Sequence, residues 1–97
     1  QDKRIEVLVE YKPVIESFET KEYTVREGEA LDVKCIALGS PQPAMEWKRI
    51  TADDTEILYR ETDQLSFESI HVENYGTYRC QAQNKHGLAT EEIQVFL

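Results

Sequence analysis

Ninety-seven residues are enough for one core of ordinary domain size and leave nothing for a second. At 40% hydrophobic and 31% charged, the chain is too apolar for a disordered acidic tail, and it holds no run near the roughly 18 apolar residues of a membrane span. Nineteen Asp and Glu against 11 Lys and Arg give a net charge of −8, which repels phosphate backbones and anionic lipid and so argues against nucleic acid and direct membrane contact.

Hydrophobicity alternates with a period of two in short segments throughout, and no window carries apolar residues at helical spacing over three turns, so the chain is expected to be all-β. Ile5, Val7 and Val9 read as one strand, which stops at Tyr11, Lys12 and Pro13 because proline cannot donate to a ladder. Val14 to Phe18 is expected as a short edge strand and Tyr23 to Val25 as another, ahead of a turn at Arg26 to Glu29 whose Gly28 can take positive φ. Leu31, Val33, Cys35 and Ala37 share the inward face of the next strand. Gly39 to Pro43 reads as a loop of turn-forming residues, after which Met45 and Trp47 point inward. A polar turn at Thr51 to Thr55 leads to a strand at Ile57 to Arg60. Leu65 and Phe67 then alternate inward, and Ile70, out of step, marks a corner. Thr77 to Gln83 carries Tyr78, Cys80 and Ala82 on one face, and a turn at Asn84 to Gly87 leads into Ala89 to Leu97. About eight strands separated by turns describe a sandwich or a barrel.

Cys35 and Cys80, 45 positions apart on two apolar strand faces, can meet across a core, where Trp47 can pack and where Tyr78 can tie a corner to backbone. A zinc site needs paired ligands a few residues apart, and Cys35, His71, Cys80 and His86 contain no such pair. Asp53, Asp54 and Glu56 lack the pattern of a calcium loop and read as a solvated turn. Glu91 and Glu92 are adjacent on a strand and face opposite ways, so they cannot act as a carboxylate pair. Ser40, Ser66 and Ser69 have no nucleophile-elbow context and no neighbouring base. The expectation is therefore no enzyme, no metal and no cofactor. Neither Asn74 nor Asn84 begins an N-glycosylation triplet, and the chain opens without a basic start and apolar run, which places any secretion signal outside these residues.

The ordered set Gly28, Leu31, Val33, Cys35, Ala37, Gly39, Pro41, Pro43, Trp47, Leu65, Phe67, Ile70, Asn74, Gly76, Tyr78, Cys80, Ala82, Asn84, Gly87, Ile93 and Val95 resembles an immunoglobulin domain of the I-set type. The resemblance implies an all-β sandwich of two packed antiparallel sheets joined by one inter-sheet disulfide, Cys35–Cys80, with Trp47, Tyr78 and Leu65 as its structural core. One position departs from the family pattern: Asn74 stands where aspartate is usual, and retains a neutral acceptor. The similar domains imply residues 1–12 as the leftover terminal strand of a preceding domain plus a junction, and 13–97 as the domain itself. They also imply a non-catalytic module of a tandem-Ig adhesion molecule or receptor, extracellular and part of a cell-surface protein. Its partners would be a protein, homophilic or heterophilic, and neighbouring Ig-like domains of the same chain. Lys85 and His86 are the candidate loop contacts. The alternative is a structural module of an intracellular muscle or cytoskeletal protein, where the cysteines would stay reduced.

Overall fold

The computed structural model describes residues 9–16, 18 and 20–97, so most of the leading strand expected at Ile5 to Val9 lies outside the described residues. The described residues form nine strands: β1 (Tyr11–Ile15), β2 (Glu22–Thr24), β3 (Leu31–Lys34), β4 (Ala37–Ser40), β5 (Ala44–Ile50), β6 (Glu56–Arg60), β7 (Gln64–Phe67), β8 (Gly76–Asn84) and β9 (Gly87–Phe96). A 3-10 turn, Val72–Asn74, forms the corner expected after Ile70.

Two layers enclose the core. The larger is a five-stranded sheet ordered β2-β9-β8-β5-β6. The smaller consists of the pairs β1-β4 and β3-β7. Both layers are antiparallel except at one edge, where β2 runs parallel to β9 with Tyr23 opposite Val95. The alternation of the sequence explains which face each strand buries: Leu65 and Phe67 of β7, and Ile93 and Val95 of β9, are buried while their neighbours are exposed. Val33, Cys35, Trp47, Ile70, Tyr78 and Cys80 complete the interior.

Three segments differ from expectation. β1 begins at Tyr11, two residues ahead of the expected domain start, and Tyr11 and Lys12 belong to it rather than interrupting it. The reason is a bulge: Tyr11 pairs with Ser40 and Val14 with Leu38, so Lys12 and Pro13 together oppose Gly39, and the proline needs no ladder donor there. The run expected as one strand from Leu31 to Ala37 is two, β3 and β4, broken at Cys35 and Ile36. The Cys35 N–H donates to the Asp63 carbonyl (2.8 Å), while the Ile36 carbonyl accepts from Glu16 (2.8 Å), so the backbone changes partner at the break. Finally, Gly39 and Ser40, expected in a loop, end β4. Glycine is required at 39 because a Cβ would lie 2.8 Å from Pro43 Cγ and 3.3 Å from Pro13 Cα. Gly28 does adopt positive φ, +90°, in its turn.

β6 passes to β7 through only Glu61, Thr62 and Asp63, and among the described residues no further strand lies outside β7. Tyr59 on β6 bridges the two layers at this side, its ring centroid 5.9 Å from Phe67 and 5.4 Å from Tyr78.

Candidate recognition surfaces

Everything a partner could touch is held by the interior, and the interior is held by two devices. The first is the Cys35–Cys80 disulfide, with Cα atoms 6.4 Å apart, which joins the smaller layer to β8. Trp47 stands directly opposite Cys80 in the β5–β8 register, so both side chains share the inner face. Its ring is fully buried, and its Nε1–H donates to the Asp63 carbonyl at 3.0 Å, the same oxygen that accepts from Cys35. Leu65 and Tyr78 are likewise fully buried.

The second device is the corner. The Tyr78 hydroxyl donates to the Asn74 carbonyl and accepts from Arg49 Nη1 at 3.1 Å, and burial pushes the phenol up to about 12. Arg49 also donates to the carbonyls of Glu73 and, at 2.7 Å, Tyr75. Asn74 Oδ1 accepts from the His71 N–H at 2.8 Å, which is the neutral acceptor role open to it in place of aspartate. Arg49 is a functional part of this corner that the sequence reading passed over. Met45, Trp47 and Arg49 alternate along one strand, and an arginine in step with buried residues signals waiting acceptors.

On the outside, the larger sheet is closed by charge pairing. Arg79 binds Glu92 (Nε to Oε2, 2.8 Å) and Glu56, while Lys48 donates to Gln81 at 2.9 Å and lies 3.7 Å from Glu56. Glu56, expected in a solvated turn, is thus part of β6 and of this network. Asp53 does lie in the turn, where hydrogen bonds from Thr51 and Thr55 hold its carboxyl below the usual carboxylate range. The smaller layer is different: Val14 and Leu38 are cross-strand partners and both are exposed, as is Ile36.

Lys85 and His86 form the two-residue tip of the β8–β9 hairpin. Both reach Glu10, whose Oε1 lies 2.9 Å from His86 Nε2 and 3.0 Å from Lys85 Nζ. Hydrogen bonding from His86, then from Lys85, holds the Glu10 carboxyl below the usual range. Asn84, just before the tip, donates through Nδ2 to the carbonyls of Tyr11 (2.9 Å) and Pro41 (3.0 Å) and accepts from the His86 N–H (2.9 Å).

A family model described as immunoglobulin domain matches residues 12–84, from the second residue of β1 to the end of β8. The chain belongs to the immunoglobulin domain family. Among known proteins, this immunoglobulin domain is 33% identical over 88 residues to Cell adhesion molecule 4 of Xenopus laevis, covering 90% of this chain and 22% of that protein. It is 33% identical over 90 residues to Neural cell adhesion molecule L1-like protein of Homo sapiens, covering 88% of this chain and 7% of that protein. It therefore spans less than a quarter of either relative. Among solved structures, one on Dscam isoform specificity superposes with a TM-score of 0.79 at 18% identity, over 93% of this chain and 25% of that one. A complex of Dpr2 Ig1-Ig2 with DIP-Theta Ig1-Ig3 gives 0.74 at 25% identity, over 90% and 32%. These superpositions establish the sandwich fold.

Proposed function

We propose that this immunoglobulin domain is a non-catalytic module of the I-set type in the extracellular part of a tandem-domain cell-adhesion molecule or receptor, serving protein recognition or spacing. The observation that carries this reading is the alignment of nearly the whole domain, rather than its core alone, with proteins named as cell adhesion molecules. A buried disulfide between the layers supports it, because such bonds persist outside the cytosol. The partner is a protein surface, either a second copy or a different chain, and the neighbours in the natural chain are further immunoglobulin domains. Lys85 and His86, exposed at the hairpin tip on the side where the chain enters β1, are the loop residues we propose for such a contact.

Two measurements test this. Labelling intact cells with a thiol reagent that does not cross membranes, with and without prior reduction, should show the full-length protein at the surface with Cys35 and Cys80 oxidised. Finding both as free thiols inside the cell returns the reading to an intracellular structural module. Beads coated with the domain and its neighbours should cluster with themselves or attach to a cell type. Failure of both arms leaves the domain as a spacer.

A further inference from the structure

We propose that Arg49 and Gly76 form a carboxylate-binding notch at the end of the sandwich from which β9 leaves, built to take a glutamate or aspartate side chain of a partner protein. That the partner is a protein rests on the reading above; the notch itself does not.

A guanidinium has five N–H donors. In Arg49, Nη1 donates to the Glu73 carbonyl and the Tyr78 hydroxyl, and Nη2 donates to the Tyr75 carbonyl. Nε–H and the second Nη2–H are left, and among the described residues neither meets an acceptor. Nor does any Asp or Glu of those residues pair with this cation, although the chain carries 19 of them. Nε and Nη2 share one edge of the planar group, the edge that can grip a carboxylate through two parallel bonds.

Two further observations open that edge to a ligand. Glycine at 76 keeps the approach clear, since a Cβ there would sit 3.1 Å from Nη2, 3.6 Å from Cζ and 3.8 Å from Nε. Arg49 and Gly76 also line one open cavity of about 450 Å³, bounded by the turn at Thr51 and Ala52 and by Tyr75. The corner carbonyls hold the guanidinium in place, so a ligand meets it already oriented. Gly76 stands opposite Val95, at the far end of β8 from the hairpin tip, so the notch is separate from Lys85 and His86.

The surroundings select the kind of anion. Asp53 and Asp54 follow the lining turn, Glu73 adjoins the corner, and the whole chain carries −8, so small mobile anions and phosphate polymers are held off. A carboxylate presented on a protein surface arrives with that surface's own cations, which offset the flanking acids.

Two peptides, acetyl-Gly-Glu-Gly-amide and acetyl-Gly-Gln-Gly-amide, test the notch by nuclear magnetic resonance on the 97-residue chain at constant ionic strength. The glutamate peptide should move the Arg49 Nε–H and the Gly76 N–H along a saturating curve, with an affinity about fivefold above that of the glutamine peptide. Arg79, whose Nε already bonds Glu92 at 2.8 Å, should keep its resonance in place. R49K retains a cation but loses the fork, and should weaken the glutamate peptide about fivefold. Equal responses to the two peptides, no saturating shift at Arg49 and Gly76, or undiminished binding by R49K overturns the proposal. The peptide comparison uses the unaltered chain, so it decides even where R49K loosens the corner. It needs neither a neighbouring domain nor a cell, which separates failure of the notch from failure of the adhesion reading.

Discussion

A guanidinium in step with the inward positions of a strand is costly unless its donors are met, and Arg49 meets them with two corner carbonyls and a phenol. The corner thus assembles around a cation and a ring of oxygens, and Asn74 at its centre contributes its backbone carbonyl to Tyr78 and its side-chain oxygen to His71. Asn74→Asp keeps the side-chain acceptor and adds a charge near the arginine, so we expect chemical denaturation to show a change within about 0.5 kcal/mol or a gain. A loss above about 1 kcal/mol would show that the amide donors matter or that Glu73 makes a second charge unwelcome. The same corner sets an alkaline limit. Tyr78 is raised from 10.0 to about 12, chiefly by burial, so the unfolded chain gives up the phenol proton first. Stability is intact below pH 10 and falls as pH rises towards 12. At about 1.4 kcal/mol per pH unit, the drop is of order 2 to 3 kcal/mol. Tyr78→Phe should remove that slope, and an unchanged alkaline midpoint would refute it.

At the scale of elements, one bond ties the two layers. The disulfide closes a separation of 45 residues, which by chain-entropy reckoning is worth about 4 kcal/mol, a large share of a small domain's margin. Reduction under native conditions should therefore lower the denaturation free energy by a few kcal/mol, and an effect below about 1 kcal/mol would mean that Trp47 and its neighbours hold the layers unaided. Strands β7 and β9 were legible because Leu65, Phe67, Ile93 and Val95 are buried between exposed neighbours, and β5 and β8 because Trp47, Tyr78, Cys80 and Ala82 put apolar residues at every second position. β1 and β4 were not. Their pairing depends on a bulge that places Lys12 and Pro13 against Gly39, and neither partner displays that arrangement alone.

At the scale of the molecule, we propose that residues 1–10 belong to a neighbouring unit and that this domain's own first strand is β1. Removing residues 1–10 takes away the contacts of Glu10 with Lys85 and His86 but leaves the Tyr11–Ser40 pairing in place. The thermal midpoint should stay within a few degrees. A fall of more than about 8 °C, worth over 1 kcal/mol in a domain this size, would place the segment within this core.

Alternation and turn residues determined the all-β class, the corner and much of the interior from the sequence alone, because burial on a pleated strand repeats every second residue and is written locally, while the choice of a sandwich over a barrel came from the family resemblance. The partners of individual polar groups were decided only by the tertiary structure. Glu10 meets His86 across 76 positions and Lys85 just before it, Glu56 meets Arg79 across a strand, and Arg49 finds carbonyls from a distant corner. Contacts of that kind depend on which loops the packed layers bring together, and no local period in the chain encodes them.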